Sequence, residues 1–466
     1  MEKEKAFIVD WIEEHREQFY ETADQLWENP ELGMEEYESS KALQKVLEQN
    51  GFQVEAGVAD MPTAFVAVWG DKGPVVGFSA EFDCLPGLSQ EKDAVEKKPI
   101  IQGGPGHGCG HNLLGTGAIM AAAALKEAMI RQGIEGTIKV FGTPAEELCI
   151  GKPFMARAGC FEGVDFFLDW HPMTMNRAGF CECSAYFNIK YHFKGRTAHG
   201  NAPWHGRSAL DGALLMGSAL EMLREHMPPG KVDAESTLNY SFPDVGTGFP
   251  NVVPDKATIW VIGRLINADQ VEDILPRVDA CAQGAAAATG TTVEKEVITV
   301  THEKIPNETI SHVMYDNFER IGVPQYDEDE IQIAKALQKA CGAPDTGMKM
   351  ELEPVEFRSM SVTDSSEYSW FAPMELALVE LAPAGVGWHN WVVARCAAGS
   401  MGKKAMTTAA KLLACTAADM LQQPKLIEEA KAELKERLAG RTYVPLFDGE
   451  TKPACDINSD AMKPYR

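Results

Sequence analysis

Apolar residues recur at helical spacing near the start of the chain. Phe7, Ile8, Trp11, Ile12, Phe19, Ala23, Leu26 and Trp27 share one helix face, and Pro30 and Gly33 close the segment. A second helix is expected over Ser39–Asn50, stopping at Gly51. Two short β-rich runs follow at 64–70 and 74–80, the latter leading into Glu81-Phe82-Asp83-Cys84-Leu85-Pro86. A polar, Gly- and Pro-containing loop at 88–106 is then expected to be ordered or lid-like. The pattern continues with a helix over 115–130 and strands over 137–143 and 164–169. This alternation predicts an α/β fold whose largely parallel or mixed sheet is covered by helices.

The texture changes near residue 185. Residues 186–193 alternate as an amphipathic strand, followed by a helix over about 208–227, a β run near 237–241, a strand over 257–265, a helix near 268–288 and a strand over 292–300. The order β-α-β-β-α-β is that of a ferredoxin-like four-stranded sheet with two helices on one face. Because the α/β pattern resumes after 302, residues 186–301 are expected to be an insertion, with 1–185 and 302–466 forming one catalytic domain. A helix over 307–321, the apolar run Met374–Leu381 and a helix over Gly399–Met420 complete that domain. A charged helix and a polar coil follow from about 424.

Length, charge and cysteine content narrow the functional classes. A chain of 466 residues exceeds a single core, which agrees with two domains. The net charge of −25 disfavours nucleic acid and anionic membrane as partners, and an anionic substrate would need local positive charge. No apolar run is expected to approach the ~20 residues of a membrane span. Met1-Glu2-Lys3-Glu4-Lys5 leads into an amphipathic segment, so no signal peptide is expected. Eleven cysteines without framework spacing suit a reducing compartment, and the expected location is cytoplasmic.

The chemistry concentrates in four places. Gly106-His107-Gly108-Cys109-Gly110-His111 puts a thiolate and an imidazole in one flexible turn, where both can reach one metal ion. His107 has a weaker claim, and packing accounts for it. Glu146-Glu147 follows the apolar run TIKVFGTPA, where one carboxylate can hold metal while its neighbour faces the substrate as a base. His171 in Asp169-Trp170-His171-Pro172 and His389 in Gly387-Trp388-His389-Asn390-Trp391 again follow apolar stretches. One thiolate, three imidazoles and a carboxylate suit two borderline divalent ions, if one ligand bridges. Zn²⁺ or Mn²⁺ is the expectation, with Co²⁺ or Ni²⁺ also compatible.

The ordered motifs PGHGCGHNLLG, TPAEE, DWHP, KGRTAHGNAP, GRSALDGA, NVVPDKATIWVIGR, VTDSSEYSW and GWHNW extend over essentially the whole chain. Together they resemble the dinuclear metallohydrolases of the aminoacylase/carboxypeptidase group, and within it the N-acyl amino acid amidohydrolases of the p-aminobenzoyl-glutamate branch. The resemblance implies a mixed-sheet, zinc-peptidase-like catalytic domain with an inserted lid that also mediates homodimerisation. It implies that Cys109, His111, Glu147, His171 and His389 hold two metal ions, with Cys109 as the bridge. Glu146 would be the general base, and Asp83 would orient a ligand from behind. His199 would stabilise the oxyanion of the partner's site, while Asn251 and Arg264 would hold the substrate carboxylate. A homologous second subunit is a further implication. Asn112 departs from the aspartate of many relatives, and the stretch around Trp204-His205 is less familiar, with His205 expected on the lid surface. The alternatives are a dipeptidase or aminoacylase of different substrate range, or a metal-binding protein without catalysis.

Overall fold

The computed structural model describes residues 3–230 and 236–466. Seven strands precede the insertion: β1 (Gln53–Ala56), β2 (Phe65–Trp69), β3 (Val75–Glu81), β4 (Thr137–Thr143), β5 (Phe166–Met173), β6 (Asn176–Ala178) and β7 (Cys181–Cys183). Four more, β8 (Ala185–Lys194), β9 (Thr237–Asp244), β10 (Lys256–Leu265) and β11 (Thr292–Thr301), lie within it. The chain then adds β12 (Leu352–Glu353), β13 (Arg358–Met360) and β14 (Met374–Glu380).

The main sheet has eight strands in the order β1-β2-β4-β3-β5-β14-β6-β12. Its centre, β4-β3-β5-β14, is parallel throughout, and antiparallel pairings attach β2 to β4 and β6 to β14. The fold is therefore the mixed α/β arrangement that the alternation predicts. The central strands are covered on both faces, so they read as near-continuous apolar runs such as Val75–Ala80. Helices Lys3–Glu28, His111–Gln132 and Ser400–Gln422 pack against one another over this sheet, around a core that includes Phe19, Phe78, Ile119, Leu168 and Leu413.

Helix His111–Gln132 differs from expectation in two respects. It begins at His111 rather than at 115, because Gly110 takes the left-handed conformation (φ 80°) that turns the chain into the first helical residue. A Cβ on Gly110 would also stand 3.1 Å from the Pro172 ring and 3.3 Å from Leu381. By length and composition this helix could cross a bilayer, contrary to the expectation that no segment approaches that length. It is almost wholly buried against the sheet and two neighbouring helices, and its alanines permit that close approach.

Residues 185–301 carry a second sheet of order β11-β8-β10-β9, antiparallel throughout, with helices Ala209–Arg224 and Ala268–Thr289 packed on it. Ile189, Phe193, Met216, Val261, Ile274 and Val278 form a core of its own. Asn267 caps the second helix by accepting from the Gln270 amide. This sheet joins the main body where Thr299 Oγ1 donates to the Cys149 carbonyl, just beyond the Glu146-Glu147 turn.

Candidate active site

The four parallel central strands end on the same edge of the sheet, and each delivers a chemical group there. β3 ends in Glu81 and leads to Asp83, β4 leads to Glu146-Glu147, β5 carries His171, and the chain beyond β14 returns with Trp388 and His389. A crevice at the carboxyl ends of parallel strands is where α/β folds converge functional side chains from distant parts of the chain. His171 lies inside β5 and not beyond its end, since the strand runs on to Met173.

The five residues expected to hold metal come together. Cys109 Sγ lies 3.3 Å from His171 Nε2, and His389 Nε2 lies 3.2 Å from Glu147 Oε2. Donor atoms of Cys109, His111 and His171 form one compact group, and those of Cys109, Glu147 and His389 form a second. Cys109 belongs to both. His171 Nδ1 donates to the Pro172 carbonyl at 2.7 Å, so Nε2 presents its lone pair to the cluster. Burial, then the charge of His111, lowers the His171 pKa to about 4, which keeps that imidazole neutral. The indole of Trp388 donates to Cys109 Sγ at 3.1 Å.

Asp83 is fully buried beneath this group. One carboxylate oxygen accepts from His111 Nδ1 at 2.8 Å, and the other from the Glu147 amide at 3.0 Å. Nε2 of His111 is thereby left to face the cluster. Asp83→Asn is expected to weaken metal binding about 10- to 100-fold, because an amide cannot accept at both positions. Competition against a chromophoric chelator measures this, and an unchanged affinity would contradict it.

Backbone strain also gathers here. Ala145 (φ 54°) and Cys149 (φ 55°) flank the Glu146–Leu148 turn in the left-handed region, and His389 (φ 56°) shares it. Non-glycine residues in that region cost energy and persist where surrounding structure enforces them. Glu36 enforces one of them, accepting from the Ala145 amide at 2.8 Å.

Glu146 lies outside the two groups that share Cys109, and its carboxylate forms a third compact donor group with Glu81 and His111. Its Oε1 accepts from Thr363 Oγ1 at 2.8 Å, and Oε2 lies 3.8 Å from His111 Nε2. Burial, then the charge of Glu81, raises its pKa well above the usual carboxylate range. Burial also raises Glu147 to about 7, and burial followed by the Glu147 charge pushes the Cys109 thiol up.

Three residues of this neighbourhood carried no assignment from the sequence. Glu81 lies beside His111, Lys152 is buried between Glu81 and Asp364, and Asp364 accepts from both the ammonium and the backbone amide of Lys152. The available signals were a lone lysine in an apolar helix and an aspartate inside the VTDSSEYSW motif. Asn112 donates to the carbonyls of Ala23 and Ala397, both at 3.2 Å, a task an aspartate could not perform. His107 is buried and packs by hydrogen bonding to the Leu26 carbonyl.

The residues of the second sheet lie elsewhere. His199 and Asn251 are neighbours: Gly200 donates to the Asn251 carbonyl at 2.7 Å, and His199 bridges to Val252. Arg264 projects from β10 beside Tyr186. All three are exposed, and among the described residues none hydrogen-bonds or ion-pairs with the five-residue cluster. His205 is exposed and accepts from the Trp204 indole.

The donor set fits divalent cations. His111 Nε2, Glu147 Oε1 and Glu81 Oε2 are buried without hydrogen-bond partners, a costly state that a cation relieves. Burial raises the Cys109 thiol above its ordinary range, so metal binding must expel the thiol proton. Metal affinity is therefore expected to fall as pH falls, about tenfold per pH unit for each proton displaced. Calorimetry in buffers of different ionisation enthalpy reads this directly; a heat independent of buffer would contradict it.

The family described as "Peptidase family M20/M25/M40" matches residues 77–419. Across 464 aligned residues the chain is 32% identical to a p-aminobenzoyl-glutamate hydrolase subunit of Escherichia coli (strain K12), covering 93% of this chain and 95% of that one. It is 28% identical to the Xaa-Arg dipeptidase of Mus musculus, covering 93% of each. A Bacillus subtilis structure described as a dinuclear metal binding peptidase from the M20 family shares the fold, with a TM-score of 0.55 at 18% identity over 87% of this chain and 98% of that one. The chain belongs to peptidase family M20/M25/M40 and is a hydrolase of amide bonds.

Proposed function

We propose that the protein cleaves the amide bond of N-acyl amino acids, with p-aminobenzoyl-glutamate or a related aryl-acyl conjugate as substrate. The observation that carries this reading is the convergence of Cys109, His111, Glu147, His171 and His389 on one edge of the sheet, with Glu146 beside them. The substrate class rests on the relative that is 32% identical over nearly its whole length.

In this reading the five side chains hold two divalent cations, Zn²⁺ or Mn²⁺, which supply Lewis acidity and an acidified water. Glu146 accepts the proton of the attacking water and delivers it to the leaving nitrogen. Thr363 fixes one of its oxygens, so the other is available for both transfers. The raised proton affinity of Glu146 suits a group that must carry a proton between steps, and bound cations draw it back toward neutrality.

Residues 186–301 act as the lid of the catalytic domain formed by 1–185 and 302–466. His199 stabilises the oxyanion, while Asn251 and Arg264 hold the substrate carboxylate. Arg264 pairs with no carboxylate among the described residues, which leaves its guanidinium available in a protein of net charge −25. Homodimerisation through this unit is supported by Leu214, Leu215 and Met222, exposed on helix Ala209–Arg224. A second, homologous subunit is the other assembly, and the Escherichia coli relative, itself one subunit of a hydrolase, supports it. A cytoplasmic location rests on the eleven unpatterned cysteines.

The dipeptidase relative supports a second reading, in which the substrate carries a free α-amino group. A panel of N-acyl amino acids against free dipeptides separates the two. Turnover is expected for aryl-acyl glutamates; cleavage confined to free dipeptides would overturn the proposal.

A further inference from the structure

We propose that Glu81 is a sixth side chain of the metal centre, anchored there by Lys152; this rests on the metal-centre reading above. Glu81 ends β3 and is 2% exposed. Its two oxygens have different surroundings. Oε1 lies 2.8 Å from the Lys152 ammonium and accepts from Ser365 Oγ at 3.2 Å. Oε2 has no hydrogen-bond partner and stands 3.4 Å from His111 Nε2, which has none either. The two buried atoms thus stand at ion-pair distance without a hydrogen bond between them. Two ligands on one tetrahedral ion with bonds of about 2.1 Å stand about 3.4 Å apart.

The fold alone does not require Oε2 to point this way. Lys152 already has a counterion in Asp364, which takes both its ammonium and its backbone amide. A carboxylate oxygen without a hydrogen bond in a buried site is unfavourable, and a bound cation bridging it to His111 compensates it more fully than the imidazole alone. Lys152 is the positioning residue, because pinning Oε1 leaves Oε2 directed at His111. It sits in helix Gly151–Arg157, immediately after the Glu146–Leu148 turn, so the base and this anchor share one segment.

The test is Co²⁺ titration of the metal-stripped wild type, Glu81→Gln, Lys152→Met and the double variant, following stoichiometry, affinity and the cobalt d–d spectrum. The wild type is expected to bind two ions. Glu81→Gln should lose at least tenfold in affinity for one ion, keep the other, and change the d–d bands. Lys152→Met should weaken the same ion, and the double variant should be no worse than Glu81→Gln. Should Glu81→Gln fail to fold, Glu81→Asp keeps the charge toward Lys152 but withdraws the second oxygen, and is expected to alter the same ion and bands. Wild-type affinity and spectrum in the Glu81 variants, with only thermal stability reduced, would make Glu81 a counterion and overturn the inference. A wild type that takes up no ion would overturn the metal-centre reading and this inference with it.

Discussion

Glu146→Gln is expected to bind metal as the wild type does and to lose 10²–10⁴-fold in kcat, the range for removing a positioned general acid–base. That corresponds to about 3–5 kcal/mol of transition-state stabilisation. The separation of effects follows from geometry. Glu146 belongs to neither of the two groups that share Cys109; it meets the cluster through His111, whose Nε2 lies 3.8 Å from its carboxylate. Glutamine preserves the side-chain volume and still accepts from Thr363 Oγ1, so the surroundings need not rearrange. It cannot carry a proton from water to the leaving nitrogen. The loss should fall on kcat and leave KM nearly unchanged, because Asn251 and Arg264, proposed to hold the substrate carboxylate, lie in another part of the chain. Steady-state kinetics with metal analysis of the same preparation checks both halves. Full turnover in the glutamine variant would remove Glu146 from the role of base.

Cys109→Ala should have the largest effect on the metal centre itself. Its sulfur is shared by the group with His111 and His171 and the group with Glu147 and His389. Loss of a terminal ligand would impair one ion; loss of a shared one should impair both together. The expected fall exceeds about 100-fold for each ion, above the 10- to 100-fold typical of removing an outer hydrogen-bond partner such as Asp83. The variant also removes the buried thiol whose proton must otherwise be expelled, so its residual binding should depend less on pH. Titration with a metal-sensitive chelator at two pH values measures both. A variant that loses one ion and holds the second normally would show that Cys109 does not bridge.

Periodic elements were the most legible part of the sequence. The run Phe7–Trp27 and the strand 137–143 lie where their apolar patterns put them, because each buries a regular face against one core. Boundaries near the chemistry were harder to read. Asp169-Trp170-His171-Pro172 looks like a polar break, yet β5 continues through it, since the group that interrupts the pattern faces the cluster. Helix Glu328–Cys341 carried no assignment, although Asp327 and Glu330 form a capping box that is visible as Asp-x-x-Glu before an apolar run.

The candidate ligands could be found because cysteine and histidine are distinctive in short Gly-, Trp- and Pro-containing segments near apolar runs. Their support was less legible. The pair Lys152–Asp364 joins residues 212 positions apart, and nothing local in either segment indicates the other. Asn112 reads as a departure near the metals, whereas its amide is spent on two backbone carbonyls of other helices. Residues of the second sheet are marked by resemblance alone, because exposed side chains such as Arg264 have no packing pattern that would identify them independently.

The most direct test of metal-dependent amide hydrolysis is the release of glutamate from p-aminobenzoyl-glutamate by the purified, metal-stripped protein, before and after addition of Mn²⁺ or Zn²⁺. The account predicts no release without metal, and release that rises with ion added until two are bound per chain. Equal turnover before and after addition, in protein verified to be metal-free, would contradict it.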